Sequence, residues 1–349
     1  MSQPAVSVLM SAYNTEKYVG AAIESILAQT FGDFEFVILD DGSTDGTLQV
    51  LRRYEARDAR IRVIARENKG LTTSLNQLLG EARAPLIARM DSDDLTEPDR
   101  FAKQVAFMAA NPACGVLGAW GRRMDENGVL WPDYLYQYPV TADDFIAAVG
   151  NRPLILHPSV MMRTALVRQA GGYHRAFRHA EDFDFWLRLS DVTEICNLPE
   201  PLVTYRTYDG QVSTRHIVEQ RVNAGISLHA WRLRRAGQAD PTAAAERLPT
   251  VGEIDAFFGQ AGIEKDILAR VVPEILHRRI ALRDDGVRLI SRHLAHGNDA
   301  TGLWRAVVRL IVTFREWKAG LALACVLLKA RRSRPLRPVL GAESRGLAR

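Results

Sequence analysis

Four short polar segments hold many of the side chains in this sequence that could do chemistry: Ser11-Ala12-Tyr13-Asn14, Asp40-Asp41-Gly42-Ser43, Glu67-Asn68-Lys69-Gly70 and Asp91-Ser92-Asp93-Asp94. Asp91, Asp93 and Asp94 crowd negative charge into a few residues, and such carboxylates behind a buried strand raise one another's pKa and weaken the fold. A hard divalent cation with oxygen ligands relieves that repulsion and, with positions left open, can hold phosphates. The same acids also suit helix N-caps, a role open to Asp94 and Thr96. The run from Asp40 to Asp45 has two readings as well. It is an acidic turn with a cap at Asp45, or it offers a carboxylate to an imide N–H such as that of uracil. Tyr13 presents a flat face for a base to stack on, or for plain packing.

The elements that must position these segments follow from hydrophobic spacing. Val6–Met10, Phe34–Leu39, Ile61–Ala65 and Pro85–Met90 read as strands. They alternate with helical patterns over Tyr18–Ala28, around Leu48–Tyr54, over Leu71–Leu79 and over Pro98–Ala110. Strands separated by helices imply an α/β fold with a mostly parallel sheet and right-handed crossovers. In such sheets ligands lie outside the carboxyl ends of the strands, so the four segments are expected to converge on one pocket. Further along, residues 115–139 read as mixed strand and loop, and Thr164–Ala170 and Asp182–Leu189 as short helices. Ile217–Arg235 and Ile267–His296 read as long basic helices.

Together the motifs V-S-V-L-M-S-A-Y-N, F-V-I-L-D-D-G-S-T-D-G-T, E-N-K-G-L, A-R-M-D-S-D-D and H-A-E-D-F-D-F-W-L-R, in this order across residues 4–210, resemble an inverting family 2 glycosyltransferase of the GT-A fold. The resemblance implies that Ser11, Tyr13 and Asp41 contact the nucleoside of a nucleotide-sugar and that Asp91 lies by the ribose. It implies that Asp93 binds a Mn²⁺ or Mg²⁺ on the diphosphate, and that Asp182 is the catalytic base. Asp182 opens an apolar helix, which would hold it at a pocket wall or make it a helix cap. His157, Glu181, Trp186 and Arg206 are further candidates for the donor or acceptor site. His157 equally suits a buried structural role, Glu181 a solvated one and Arg206 a surface ion pair. The Gln-x-x-Arg-Trp motif of the family's processive members is missing, so transfer of one sugar to a hydroxyl acceptor on a glycan or lipid-linked glycan is expected, and the resemblance at Asp41 implies a UDP-linked donor. Asp45-Gly46-Thr47-Leu48 is similar to a dehalogenase-type phosphatase signature, but Ser43 stands where that signature needs its nucleophilic Asp. A non-catalytic sugar-nucleotide scaffold and a nucleotidyltransferase are the rival readings.

Residues 1–210 carry 21 Lys/Arg against 28 Asp/Glu, and the remaining 139 residues carry 24 against 13. The acidic front half argues against nucleic acid as a ligand. The basic rear half suits an anionic surface. Apolar residues recur from Leu303 to Leu328, and Leu303–Arg337 holds nine Lys/Arg and one Glu, the pattern of a helix lying in a membrane surface or docked on the protein's own core. The expected domains are a transferase domain over residues 1–212 and a helical basic extension over 213–349. Three cysteines far apart (Cys114, Cys196, Cys325) make a disulfide framework a poor expectation. Nothing at the start resembles a signal peptide and no apolar run is long enough to span a bilayer, so a cytoplasmic protein, peripheral at the inner face of a membrane, is expected.

Overall fold

The computed structural model describes residues 3–208, 216–282 and 286–332. Two compact units divide the chain, Met1–Glu253 and Ile254–Arg349. The first is built on a nine-stranded sheet. Its strands are β1 (Val6–Ala12), β2 (Phe34–Asp40), β3 (Ile61–Ala65), β4 (Leu86–Asp91), β5 (Leu95–Thr96), β6 (Cys114–Met124), β7 (Leu130–Tyr136), β8 (Met161–Arg163) and β9 (Glu194–Arg206). They lie in the order β3-β2-β1-β4-β8-β6-β9-β5, with β7 on β6. The β3-β2-β1-β4 block is parallel throughout, as the strand–helix alternation requires. Short β8 then joins antiparallel to both β4 and β6, and β6 runs parallel to the long β9.

Both faces of the sheet are covered, which explains why β1 and β2 read as continuous apolar runs and not as alternating ones. Val6, Val8 and Met10 point to a core shared with Val19, Ile23 and Ile26 of α1 (Glu16–Leu27), Leu51 of α2 (Thr47–Glu55), and Phe101 and Met108 of α4 (Arg100–Ala110). Leu9, Val37 and Ile87 point to the opposite core. There they meet α3 (Leu71–Glu81), α5 (Ala142–Ala148), α6 (Thr164–Gln169), and Phe185 and Trp186 of α7 (Glu181–Leu189).

The domain boundary expected near Val212 falls outside the described residues, and the first unit continues to Glu253. The reason is α8 (Ile217–Arg235), the first of the basic helices, which packs on α7. The Ser227 hydroxyl donates to buried Asp184, Trp231 Nε1 donates to Ser190, and Arg234 pairs with Asp191. The single helix expected over Ile267–His296 is instead broken: Ile263–Ile275 ends before extended Arg278, a short helical turn Arg279–Ala281 follows, and a further helix runs Val287–Ala295. The apolar stripe from Leu303 is likewise interrupted. Leu303–Val308 continues into a π-helical turn, Arg309–Thr313, and after left-handed Arg315 (φ 54°) a new helix runs Trp317–Arg332. Leu303, Val307, Leu310, Leu323 and Leu327 make the core of this unit, so half of the stripe docks on its own protein. Among the described residues no helix is long and apolar enough to cross a membrane.

Candidate active site

The four polar segments leave the sheet at one edge, in register. Ser11 lies opposite Asp91 across β1 and β4, Ala12 opposite Asp40 across β1 and β2, and Asp40 opposite Ala65 across β2 and β3. Hydrogen bonds lace the first two loops together. Asn14, in a left-handed conformation (φ 52°), accepts from the Thr44 N–H, and its own N–H donates to Ser43. Gly42 (φ +74°) is required where the second loop meets the third, because a Cβ there would come within 2.6 Å of the Asn68 nitrogen. Asp45 ties down the starts of two helices, accepting from the N–H of Thr47 and of Glu16. Tyr13 is 49% exposed, with its ring open to a ligand.

Asp41 is buried and already engaged. It pairs with Arg66 at 2.8 Å and accepts from the Lys69 and Gly70 N–H groups at 3.0 and 2.9 Å. A carboxylate has about four acceptor sites. Three are used, which leaves one and holds the carboxylate in a fixed orientation. Neighbouring Asp40 accepts from the Ser43 N–H through one oxygen, while its buried Oδ1 finds no partner among the described residues.

The acidic loop after β4 brings one oxygen each of Asp91, Asp93 and Asp94 within 4.8 Å of one another. Asp94, fully buried, is not a helix cap. It accepts from the Arg206 N–H at 2.8 Å, and its second oxygen has no partner among the described residues. Burial and the neighbouring acids push its pKa well up. Asp93 accepts from the Tyr208 hydroxyl at 3.0 Å, and its pKa is pushed up to about 6 by burial and by the charge of Asp91. An orphaned buried oxygen beside two further carboxyl groups fits the donor set of a hard divalent cation. Asp91 is the least available of the three, since both of its oxygens accept from the guanidinium of Arg89.

Sequence reasoning passed over Arg89, and its signal was an arginine inside a buried strand two residues before Asp91, on the same face. It is fully enclosed, and burial alone would depress its pKa. The charges of Asp91 and Asp94 outweigh that and keep it protonated. The same guanidinium steadies the negative charge on Asp93, Asp94, Glu181 and Asp182, so the acidic loop and the start of α7 share one electrostatic neighbourhood.

Asp182 sits in the first turn of α7, after Ala180 rather than as the cap itself, and its side chain is 37% exposed. Burial of its surroundings raises its pKa, against the Phe183 N–H that donates to Oδ1 at 2.7 Å. His157 Nδ1 lies 3.9 Å from Asp182 Oδ2, and Nε2 meets the Tyr173 hydroxyl at 2.8 Å. Burial and Arg89 hold His157 well below its usual pKa, so the ring is neutral. Glu181 is buried, not solvated. Burial and then the charge of Asp182 raise its pKa to about 7. Glu181 therefore keeps its proton up to about pH 7.

Two candidates play other parts. Trp186 is 2% exposed and sets its ring edge-on to His157, so it backs the site and offers no face to a ligand. Arg206 is buried rather than exposed at the surface. Its guanidinium donates to the main-chain carbonyls of Asp93, Asp125 and Glu126 and stacks over Tyr18, clasping the acidic loop to the β6–β7 turn. Tyr208 is a further residue the sequence left unmarked.

Comparison with known proteins agrees with this architecture. Residues 7–171 match the family described as Glycosyl transferase family 2. The chain is 40% identical to the glycosyltransferase EpsE of Bacillus subtilis (strain 168) over 191 residues, 54% of this chain and 67% of EpsE. It is 32% identical to the O-antigen biosynthesis glycosyltransferase WbnJ of Escherichia coli over 208 residues, 58% of this chain and 80% of WbnJ. Among solved structures it shares its fold with S. aureus TarS in complex with UDP-GlcNAc (TM-score 0.55, 19% identity, 95% of this chain and 93% of that one). It also matches the mannosyltransferase PcManGT of Pyrobaculum calidifontis in complex with GDP-Man and Mn²⁺ (TM-score 0.50, 18% identity, 96% of this chain and 89% of that one). A GT-A-like, mostly parallel sheet with a helical C-terminal region, carrying an acidic loop after β4, is thus joined to extensive sequence identity, and the chain belongs to glycosyl transferase family 2.

Proposed function

We propose that this chain moves a single sugar, with inversion, from a UDP-linked donor to a hydroxyl of a glycan or lipid-linked glycan in surface polysaccharide or glycolipid synthesis. The observation that carries this reading is Asp182: a part-open carboxylate, flanked by a neutral imidazole and a protonated neighbour, in the electrostatic reach of a triple-acid loop. Displacement with inversion needs one base to take the acceptor's proton as its oxygen attacks the anomeric carbon. Asp182 suits that task, because Glu181 holds its own proton and His157 adds no competing charge. Ser11, Tyr13 and the remaining acceptor site of Asp41 would take the nucleoside. Uracil fits there because its ring imide N–H can donate to the carboxylate, as the ring N–H of thymine or guanine also can. Asp93 and Asp94, with Asp91, would hold Mn²⁺ or Mg²⁺, which when bound neutralises charge on the leaving diphosphate. Arg89 and Arg206 keep that loop in shape.

The test is a panel of nucleotide-sugars with and without Mn²⁺, reading nucleoside diphosphate release and glycoside product. Release of UDP with Mn²⁺, abolished in Asp182→Asn while UDP still binds, supports the proposal. Pyrophosphate released from a nucleoside triphosphate would favour a nucleotidyltransferase, and donor binding without turnover a scaffold.

The helical unit favours a location at the cytoplasmic face of an anionic membrane. Trp304, Val308, Val312, Trp317, Leu321 and Leu328 are exposed there, and basic residues outnumber acidic ones nine to one across Leu303–Arg337. The part of that run beyond residue 332 lies outside the described residues.

A further inference from the structure

The β6–β7 hairpin holds aromatic side chains in an unusual way. Between Arg122 and Met124, β6 advances two residues, whereas β7 takes five from Leu135 back to Leu130. The surplus bulges outward, and Pro132 within it can donate no ladder hydrogen bond. The bulge sets Trp131 and Tyr134 over one guanidinium, that of Arg123, at 4.0 and 5.3 Å from the ring centres. Tyr134 also meets Tyr136 edge-on at 4.9 Å. The rings nevertheless remain 46% and 42% exposed, so Arg123 backs them without covering them. An ordered pair of large exposed aromatics, braced from beneath, is a surface prepared for a ligand.

The bracing leads back to the acidic loop. Arg123 Nε donates to the Thr207 hydroxyl at 3.1 Å, and the next residue, Tyr208, donates to Asp93. Arg206 bonds both the Asp93 carbonyl and the carbonyls of the hairpin's own turn. The platform is thus linked through Arg123, Thr207, Tyr208 and Arg206 to the acidic loop at Asp93.

We propose that Trp131 and Tyr134 form a saccharide-binding platform for the acceptor: a sugar ring lays its C–H face on the exposed indole and phenol, which makes the acceptor a glycan rather than a bare lipid or polyol phosphate. This rests on the transferase reading for its place in the reaction, but not for its test. Binding of cello-, chito- and mannotetraose is measured by saturation-transfer NMR on the full chain without donor. At least one tetraose is expected to bind, and Trp131→Ala and Tyr134→Ala to weaken it about three- to tenfold each, the factor that loss of an aromatic stack gives. Trp131→Phe should retain most of the binding, and the thermal shift produced by UDP with Mn²⁺ should not move in any of these variants. Binding unchanged in both alanine variants overturns the platform, as does silence from all three sugars. A fall in solution mass on Trp131→Ala, without loss of sugar binding, would instead assign the strand to a second copy of the chain and also overturn it. If tetraose binds through these rings but no donor supports transfer, the platform stands and the transferase reading fails.

Discussion

In the sheet unit Arg89, Arg100, Asp94 and Asp184 are buried, while in the helical unit Val308, Val312, Trp317, Leu321 and Leu328 are exposed. The region around the acidic loop and α7 encloses charge and the stretch from Val308 to Leu328 displays apolar surface, each against the general tendency of a folded chain. Enclosed charge is tolerated only where partners compensate it, and here Arg89 stands among Asp91, Asp94, Glu181 and Asp182. Displayed apolar surface needs a partner outside the unit. The contrast separates a region built around enclosed charge from one that turns apolar side chains outward.

The largest expected effect removes the carboxylate of Asp182, whose side chain is 37% exposed beside the enclosed set. Asp182→Asn keeps the shape and the Phe183 hydrogen bond but cannot take a proton, so turnover should fall about 10²–10⁴-fold, with UDP affinity within twofold of wild type. Steady-state UDP release and calorimetric UDP binding, read together, check this. Loss of both would place Asp182 in donor binding and blur the proposed division of roles.

Next comes Arg89→Met, which leaves the acids of the loop without their shared cation. Breaking one side of a buried pair costs about 3–5 kcal/mol, read as a shift in the urea midpoint. Mn²⁺ should restore part of the loss in this variant and add less to wild type. If wild type and variant gain equally, the ion does not take over the compensating role of Arg89.

Glu181→Gln tests the proton held beside the base. The folded-state pKa of Glu181 is raised to about 7 from an ordinary 4.5, so the folded state binds the proton more tightly than the unfolded chain does. Its favourable contribution is full below pH 4.5 and is lost as pH rises through 7, a penalty of up to about 3 kcal/mol. The glutamine variant should therefore match wild type near pH 4 and be more stable at pH 8. Equal midpoints at both values would mean that Glu181 is ionised without strain.

What the sequence disclosed and what it hid follow the same division. The four parallel strands and the acidic loop were legible because β1 to β4 bury both faces and their loops repeat a polar pattern at one edge. Asp182 was legible as a motif. Arg89 and Tyr208 were not, since a buried arginine reads as an interruption of a strand and a tyrosine after β9 reads as packing. Their roles depend on contacts made across the fold, from β4 to α7 and from residue 208 to 93. The burial of Arg206 was hidden for the same reason: spacing does not show that its guanidinium meets main-chain carbonyls inside the fold. The stripe from Leu303 was legible as apolar, but its division into a buried and an exposed half depends on the break at Arg315, which no local signal marked.

That division supplies the smallest expected effect on the fold and the sharpest on location. Leu310 and Leu323 are enclosed, so Leu310→Asp should unfold the helical unit and is uninformative about docking. Val312 is 70% exposed and Trp317 57%, so Val312→Asp with Trp317→Asp should leave the thermal midpoint of the unit nearly unchanged. If these side chains enter a bilayer, their loss should cut partitioning onto phosphatidylglycerol-rich vesicles at least tenfold, the factor that about 1.4 kcal/mol of lost apolar burial gives. The residual binding should vanish with salt, because the basic residues attract only within a Debye length. Binding that is weakened by salt alone and untouched by the double substitution would make the surface purely electrostatic, and the exposed apolar face would then belong to a protein partner.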